Sequence, residues 1–200
     1  MKALIIGASG TIGTAIVNEL KSDTDIITAN FSSGDIQVDL NDSTSIKAMY
    51  AKAGKLDAVI CAAARGVVFK PITELSREDY ITSMQSKLLG QIDLVLQGQQ
   101  TVNDGGSFTL TTGVLNHDPI AGGSAAAMAN NAVEGFASSA ALELPRQLRI
   151  NVISPALLEE SVSHYEGFFP GFEPVAGAKV ARAFRKSVYG IQTGRVFHVG

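Results

Sequence analysis

Short apolar runs alternate along this chain with longer stretches in which apolar residues recur at helical spacing. The opening run, Lys2-Ala3-Leu4-Ile5-Ile6, is bounded by Gly7 and reads as a buried strand. Helical spacing follows from Thr11 to about Lys21. Further strands are expected at 25–29, 35–38, 56–62, 107–111, 149–153 and 195–199, the third alternating polar with apolar and closing on Asp39-Leu40. Helices are expected from Asp42 or Ser43 to about Ala53, from Ser76, with Asp79 three residues on, to about Val102, from about Gly123 to Leu144, and near 175–187. Asp104-Gly105-Gly106 reads as a turn, and 157–172 as a loop without clear period. Strands alternating with helices predict parallel βαβ units, here α/β with one doubly wound parallel sheet of about seven strands and helices on both faces. The whole chain, 1–200, is expected to be one domain. The loops after Ile6, Ala29, Val38, Cys61, Thr112 and Ser154 would share one edge, where such sheets bind ligands.

The first of those loops carries the most specific chemistry. Gly7-Ala8-Ser9-Gly10-Thr11-Ile12-Gly13 joins a strand to a helix. Small residues there let backbone N–H groups approach a pyrophosphate, the helix N-terminus favours negative charge, and the last glycine lets helix and strand pack closely. This is the Rossmann-type context for a dinucleotide. Composition removes other classes. A formal charge of -3 gives no electrostatic case for nucleic acid or an anionic membrane. One cysteine, Cys61, excludes an intrachain disulfide and suits a reducing compartment. The N-terminal residues do not read as a signal peptide and no apolar run reaches membrane-spanning length, so a cytoplasmic protein is expected. No metal site is expected.

The order of several motifs resembles the short-chain dehydrogenase/reductase family over essentially the whole chain. Gly7, Gly10 and Gly13 match its glycine turn in a GxxGxxG spacing, and Asp39-Leu40 stands where an aspartate meets the adenine ring. Cys61-Ala62-Ala63-Ala64 replaces the Asn-Asn-Ala-Gly end of the fourth strand, and Lys87-Leu88-Leu89-Gly90 replaces an Asn-Leu-x-Gly motif. Ala132-Val133-Glu134-Gly135-Phe136, Ala141-Leu142-Glu143-Leu144, the run Arg149 to Pro155, and Thr193-Gly194 before Arg195-Val196-Phe197 resemble later family segments. The resemblance implies a nicotinamide dinucleotide held by Gly7, Ser9, Gly10, Thr11, Ile12, Gly13, Asn30, Ser32, Asp39, Leu40, Cys61, Ala62, Ala63, Lys87, Asn130 and Pro155. It also implies a homodimer or homotetramer formed through helices 78–102 and 123–144.

The family's catalytic signature is absent. Its Tyr-x-x-x-Lys pair falls on Ala126 and Asn130, its serine on Gly113, and its fourth-helix asparagine on Lys87. An alanine methyl moves no proton, and losing a positioned acid costs about 10²–10⁴ in rate. Substitute groups are Lys87, Asn130, the Thr111 or Thr112 hydroxyl, and His117, whose ordinary pKa suits acid–base work. His164, Tyr165 and Phe168-Phe169-Pro170-Gly171-Phe172 stand where the family carries a substrate lid. The loop Ala29-Asn30-Phe31-Ser32-Ser33 has hydroxyls and no acid to repel a 2′-phosphate, which leans towards NADP(H) over NAD(H), although that loop holds no Arg or Lys to clamp it. Three readings stand: an oxidoreductase on a small carbonyl or alcohol with relocated groups, a catalytically silent nucleotide-binding regulator or partner subunit, and a fold that has lost nucleotide binding.

Overall fold

A computed structural model describes residues 1–63, 65–165 and 167–200; Ala64, the last residue of the motif closing the fourth strand, and Glu166 lie outside the described residues. Seven strands are β1 (Lys2–Ile6), β2 (Asp25–Asn30), β3 (Ile36–Gln37), β4 (Leu56–Cys61), β5 (Val102–Thr111), β6 (Arg149–Pro155) and β7 (Arg195–Val199). They form one parallel sheet in the order β3-β2-β1-β4-β5-β6-β7. Among the described residues the α-helices are α1 (Thr11–Leu20), α2 (Ser43–Ala53), α3 (Arg77–Met84), α4 (Gln91–Gly98), α5 (Ser124–Ala140) and α6 (Gly177–Tyr189).

The period of two within each strand divides the core into two layers. Leu4 and Ile6 of β1 face a cluster with Ile46, Met49 and Tyr50 of α2, Leu94 and Val95 of α4, and Val133 of α5. Ala3 and Ile5 face the opposite cluster, with Ile16 and Leu20 of α1 and Val180, Phe184 and Val188 of α6. Strand order reverses at β1, which pairs with both β2 and β4. Such a reversal opens a crevice at the carboxyl ends of the strands, and it lies beside the glycine turn.

The expected helix 76–102 is not one helix. Ser76 and Asp79 cap α3 reciprocally, as the sequence suggests, but Gln85–Gly90 winds as a π-helix before α4 begins. The helix stops at Gly98, whose added Cβ would lie 2.4 Å from the Tyr50 hydroxyl, and the chain turns so that Val102 can pair with Leu56. The turn expected at Asp104-Gly105-Gly106 is an irregularity inside β5, where the register with β4 shifts between Leu56 and Ala58. Elsewhere β3 shrinks to two residues, α5 ends at Ala140, β6 continues to Pro155, and Glu159–Tyr165 forms a 3₁₀ helix inside the expected loop.

Tyr50 spans α2 and α4 from within the core. Its Oη donates to the Leu94 carbonyl at 2.6 Å, and burial pushes the phenol well above the usual tyrosine pKa. Tyr50→Phe is expected to lower the free energy of unfolding by about 1 kcal/mol. Urea denaturation reads this as a lower midpoint at unchanged slope; an unchanged midpoint would show that the hydroxyl contributes nothing net.

Candidate functional site

Two clefts open on the carboxyl edge of the sheet, on either side of the glycine turn. The first, about 330 Å³, is lined by Gly7, Ser9 and Gly10, by Asn30, Phe31 and Ser32 after β2, by Asp39 and Leu40 after β3, and by Ala62, Ala63 and Arg65 after β4. The second, about 430 Å³, is lined by Ile12, Lys87, Thr112, Gly113, Ala126, Asn130 and Pro155, with an apolar wall of Phe69, Leu115, Leu158, Tyr165 and Phe169.

The turn between them is shaped for backbone to approach a ligand. Gly7 has a φ of +82°, and a Cβ there would lie 2.8 Å from the Ala62 backbone. A Cβ on Gly13 would lie 2.0 Å from the Gly7 carbonyl oxygen, so α1 rests directly on the turn. No side chain caps α1, and its first turn holds no acidic residue. Its leading N–H groups are therefore left for an anion.

Lys87 reaches the second cleft from the π-helix, a winding in which the interior hydrogen-bond ladder is shifted by one residue. The buried Gln91 side chain closes the gap. Its Nε2 donates to the Lys87 carbonyl at 2.7 Å and the Thr111 carbonyl at 3.0 Å, while its Oε1 accepts from the Thr111 N–H at 2.9 Å. Lys87 Nζ then donates to the Thr112 carbonyl at 3.1 Å. It is the single charged side chain among the described residues lining that cleft. Desolvation brings its pKa down to about 8, with the Cys61 thiol acting in the opposite direction.

Asn130 is buried, one helical turn from Ala126. Its Nδ2 donates to the Gly113 carbonyl at 3.1 Å, and its Oδ1 has no partner. An orphaned acceptor at a cleft wall fits a ligand bearing hydroxyl groups. Together with the glycine cradle and the bare helix terminus, it shows that the residues present fit a dinucleotide.

Several expected residues stand elsewhere. Cys61 is fully buried, its thiol pushed up to about 11 by desolvation against the opposing effects of the Ala63 carbonyl and Lys87, so it presents no surface to either cleft. Thr11 lines a shallow depression with Thr14 and Asn18 instead. Gly13 acts by packing on Gly7. The Thr111 hydroxyl donates to the Cys61 carbonyl at 2.6 Å, and the Thr112 hydroxyl donates to Glu134 Oε1 at 3.0 Å. Neither proton is left for a substrate. His117 lines neither cleft; its Nε2 lies 3.0 Å from Glu134 Oε2 and its ring meets His198 edge-on. Sequence reasoning missed Glu134 as the acceptor that takes both groups, and Arg65, which lies across the sheet edge from the loop it meets. Tyr165, Phe169 and Phe172 form a chain of edge-to-face rings beside the second cleft, placing part of the expected lid there. Among the described residues, no group of three His, Cys, Asp or Glu is placed to hold a metal ion. Among the described residues, no helix is long and apolar enough to cross a membrane.

Residues 8–187 match the family model described as enoyl-(acyl carrier protein) reductase. The protein lin1944 from Listeria innocua is 53% identical with TM-score 0.98, each chain covering 100% of the other. A small-chain dehydrogenase solved in complex with NADPH is 22% identical, with TM-score 0.87 over 100% of this chain and 96% of its own. A short-chain dehydrogenase from Burkholderia cenocepacia in complex with NADP is 19% identical, with TM-score 0.85 over 98% and 95%. No curated protein matches the chain.

The shifted Lys87 makes a prediction about stability. Its folded pKa, about 8, lies below the usual unfolded lysine value. Between those two values the unfolded state binds more protons, so stability rises with pH across that window. In Lys87→Met this rise is lost. Thermal unfolding of both proteins from pH 7 to 10 is expected to show the wild type gaining on the variant; parallel profiles would place Lys87 at an ordinary pKa.

Proposed function

Since this chain belongs to the short-chain dehydrogenase/reductase family, we propose that it binds a nicotinamide dinucleotide and acts as an oxidoreductase on a small carbonyl or alcohol. The observation that carries the proposal is that Lys87 lines the second cleft together with Asn130 and the aromatic wall, its Nζ held by the Thr112 carbonyl. The two relatives solved with NADPH and NADP support the dinucleotide, and NADP(H) as the preferred form. When bound, that cofactor supplies or accepts a hydride.

The chain's own residues divide the remaining work. Gly7, Ser9 and Gly10 with the α1 terminus hold the pyrophosphate. Asn30, Ser32, Asp39, Leu40, Ala62 and Ala63 wall the adenosine half. Asn130 and Pro155 lie on the nicotinamide side, with Asn130 Oδ1 accepting from a ribose hydroxyl. Lys87 carries the proton that Ala126 cannot. A protonated amine at a carbonyl oxygen both stabilises the charge developing there and transfers its proton. The surrounding apolar wall excludes water and strengthens that interaction.

A carbonyl reduction that draws its proton from Lys87 requires the protonated amine. Its kcat/KM is expected to be flat below about 8 and to fall at higher pH, following the free-enzyme pKa. Lys87→Met is expected to reduce kcat about 10²–10⁴-fold while leaving NADPH binding measurable. Assays would follow NADPH oxidation over a panel of aldehydes and ketones. Turnover indifferent to Lys87 would remove this mechanism.

A second reading, a silent nucleotide-binding regulator or partner subunit, rests on Ala126 and on the Thr112 hydroxyl committed to Glu134. Micromolar dinucleotide binding with no turnover across the panel would select it. In either case we place the protein in the cytoplasm, in keeping with its buried thiol, and pair it through α3, α4 and α5. Leu89 at the end of the π-helix and Leu96 on α4 are both half exposed. Light scattering during gel filtration is expected to show a dimer or tetramer that Leu89→Glu/Leu96→Glu dissociates; a wild-type monomer would exclude this surface as an assembly face.

A further inference from the structure

The second cleft encloses an amine without an acid to hold its proton. Among the described residues that line it there is no Asp or Glu. Lys87 Nζ has one hydrogen-bond partner among the described residues, the Thr112 carbonyl at 3.1 Å. A carbonyl oxygen accepts a hydrogen from an ammonium and from a neutral amine alike, so this bond holds the nitrogen in both states. A neutral amine that keeps it has its lone pair turned away from that carbonyl. The groups around the amine leave the lone pair uncontested. Glu134 of α5 bears on the same threonine, but its two oxygens are taken up by the Thr112 hydroxyl and by His117. The Cys61 thiol of β4, pushed up to about 11 by burial, stays neutral at pH 7. The Tyr165 phenol stands in the wall, with Phe69, Leu115, Leu158 and Phe169 supplying its apolar surface.

We infer that Lys87 is also a covalent attachment site, at which its side-chain amine forms a reversible imine with aldehydes that carry an apolar group. The nitrogen lone pair attacks the carbonyl carbon, an N–C bond forms, and the C=O π pair moves to oxygen. That oxygen takes a proton released by the nitrogen, which gives a carbinolamine. The hydroxyl then leaves as water with the second nitrogen hydrogen, and a C=N bond remains. Amine and aldehyde thus give imine and water, with no oxidant, reductant or further reactant. A lysine becomes nucleophilic when an apolar pocket removes the solvation of its charge. With its pKa brought down to about 8, about a tenth of the amine is neutral at pH 7. The apolar wall favours an aldehyde with a hydrocarbon substituent. The proposed reduction uses the ammonium and this reaction uses the neutral amine, so the attachment requires no dinucleotide.

The test is chemical trapping in the absence of any dinucleotide. Wild-type protein would be incubated at pH 7 with benzaldehyde and sodium cyanoborohydride, which reduces an imine to a stable secondary amine. Peptide mapping by mass spectrometry would then follow N-benzyl-lysine at each position. Label is expected at Lys87 about tenfold or more faster than at Lys47 and Lys52, which are exposed on α2. The preference is expected to vanish in urea, where the cleft is lost, and to shrink when glycolaldehyde replaces benzaldehyde. Equal labelling of the three lysines, or a preference that persists in urea, overturns the inference. An undiminished preference with glycolaldehyde overturns the apolar assignment. In Lys87→Arg, which keeps a cation, the fast equivalent of label is expected to disappear while Lys47 and Lys52 react as before. The proposed function fails separately. Selective trapping in a protein whose NADPH oxidation is indifferent to Lys87 upholds the attachment site and removes the reduction mechanism. Lys87-dependent oxidation without selective trapping does the reverse.

Discussion

One buried amide holds the proposed chemistry in place. Gln91 joins the Lys87 carbonyl to both backbone groups of Thr111, fastening the π-helix to the end of β5. With both amide ends satisfied, it is an inexpensive group to bury; with either partner displaced, it becomes a costly one. The same three bonds set where Lys87 leaves its helix and where the Thr112 carbonyl stands to receive its ammonium. Removing the clamp would loosen the amine and the strand end together. The other constraint is steric: α1 can rest on the glycine turn only because Gly13 lacks a side chain.

Residues whose signals are local were readable from the sequence. The strand before Gly7, the helix after it, the Ser76/Asp79 cap and the alternation of strands with helices each act within a few residues, and the structure contains all of them. The π-helix was not readable, because no residue type in Gln85–Gly90 marks where the hydrogen bonds shift by one residue. The irregularity in β5 was hidden as well: Asp104-Gly105-Gly106 carries the composition of a turn, and only pairing with β4 keeps it in a strand. At the site, residue type gave the candidates and partnership sorted them. Thr112 and His117 are plausible acid–base groups in isolation, and Glu134 engages both. Arg65 and Phe31 meet across the sheet edge from loops following different strands, a proximity that follows from β1 lying between β2 and β4.

Electrostatically the two clefts differ. The second surrounds one cation with apolar walls, so burial lowers the amine towards the range in which it can exchange protons near neutrality. The first sets one cation and one carboxylate at an open mouth, where a large anion can approach without being desolvated in advance. Under the proposed function the first cleft would act through charge, and the second through the proton affinity of Lys87. The first property depends on loops at the carboxyl edge, and the second on Lys87 of the π-helix.

Asn130 has a consequence beyond its orphaned oxygen. The Gly113 carbonyl occupies the NH₂ end of the amide, which fixes the direction of the whole group and prevents it from turning over. The cleft therefore shows lone pairs, and no hydrogens, at this point of its wall. A ligand atom seated there must bring its own proton: alcohols and amines are welcomed, while ethers, nitriles and deprotonated oxygens meet repulsion. An inhibitor that offers its own lone pairs to this wall would arrive with its polarity reversed.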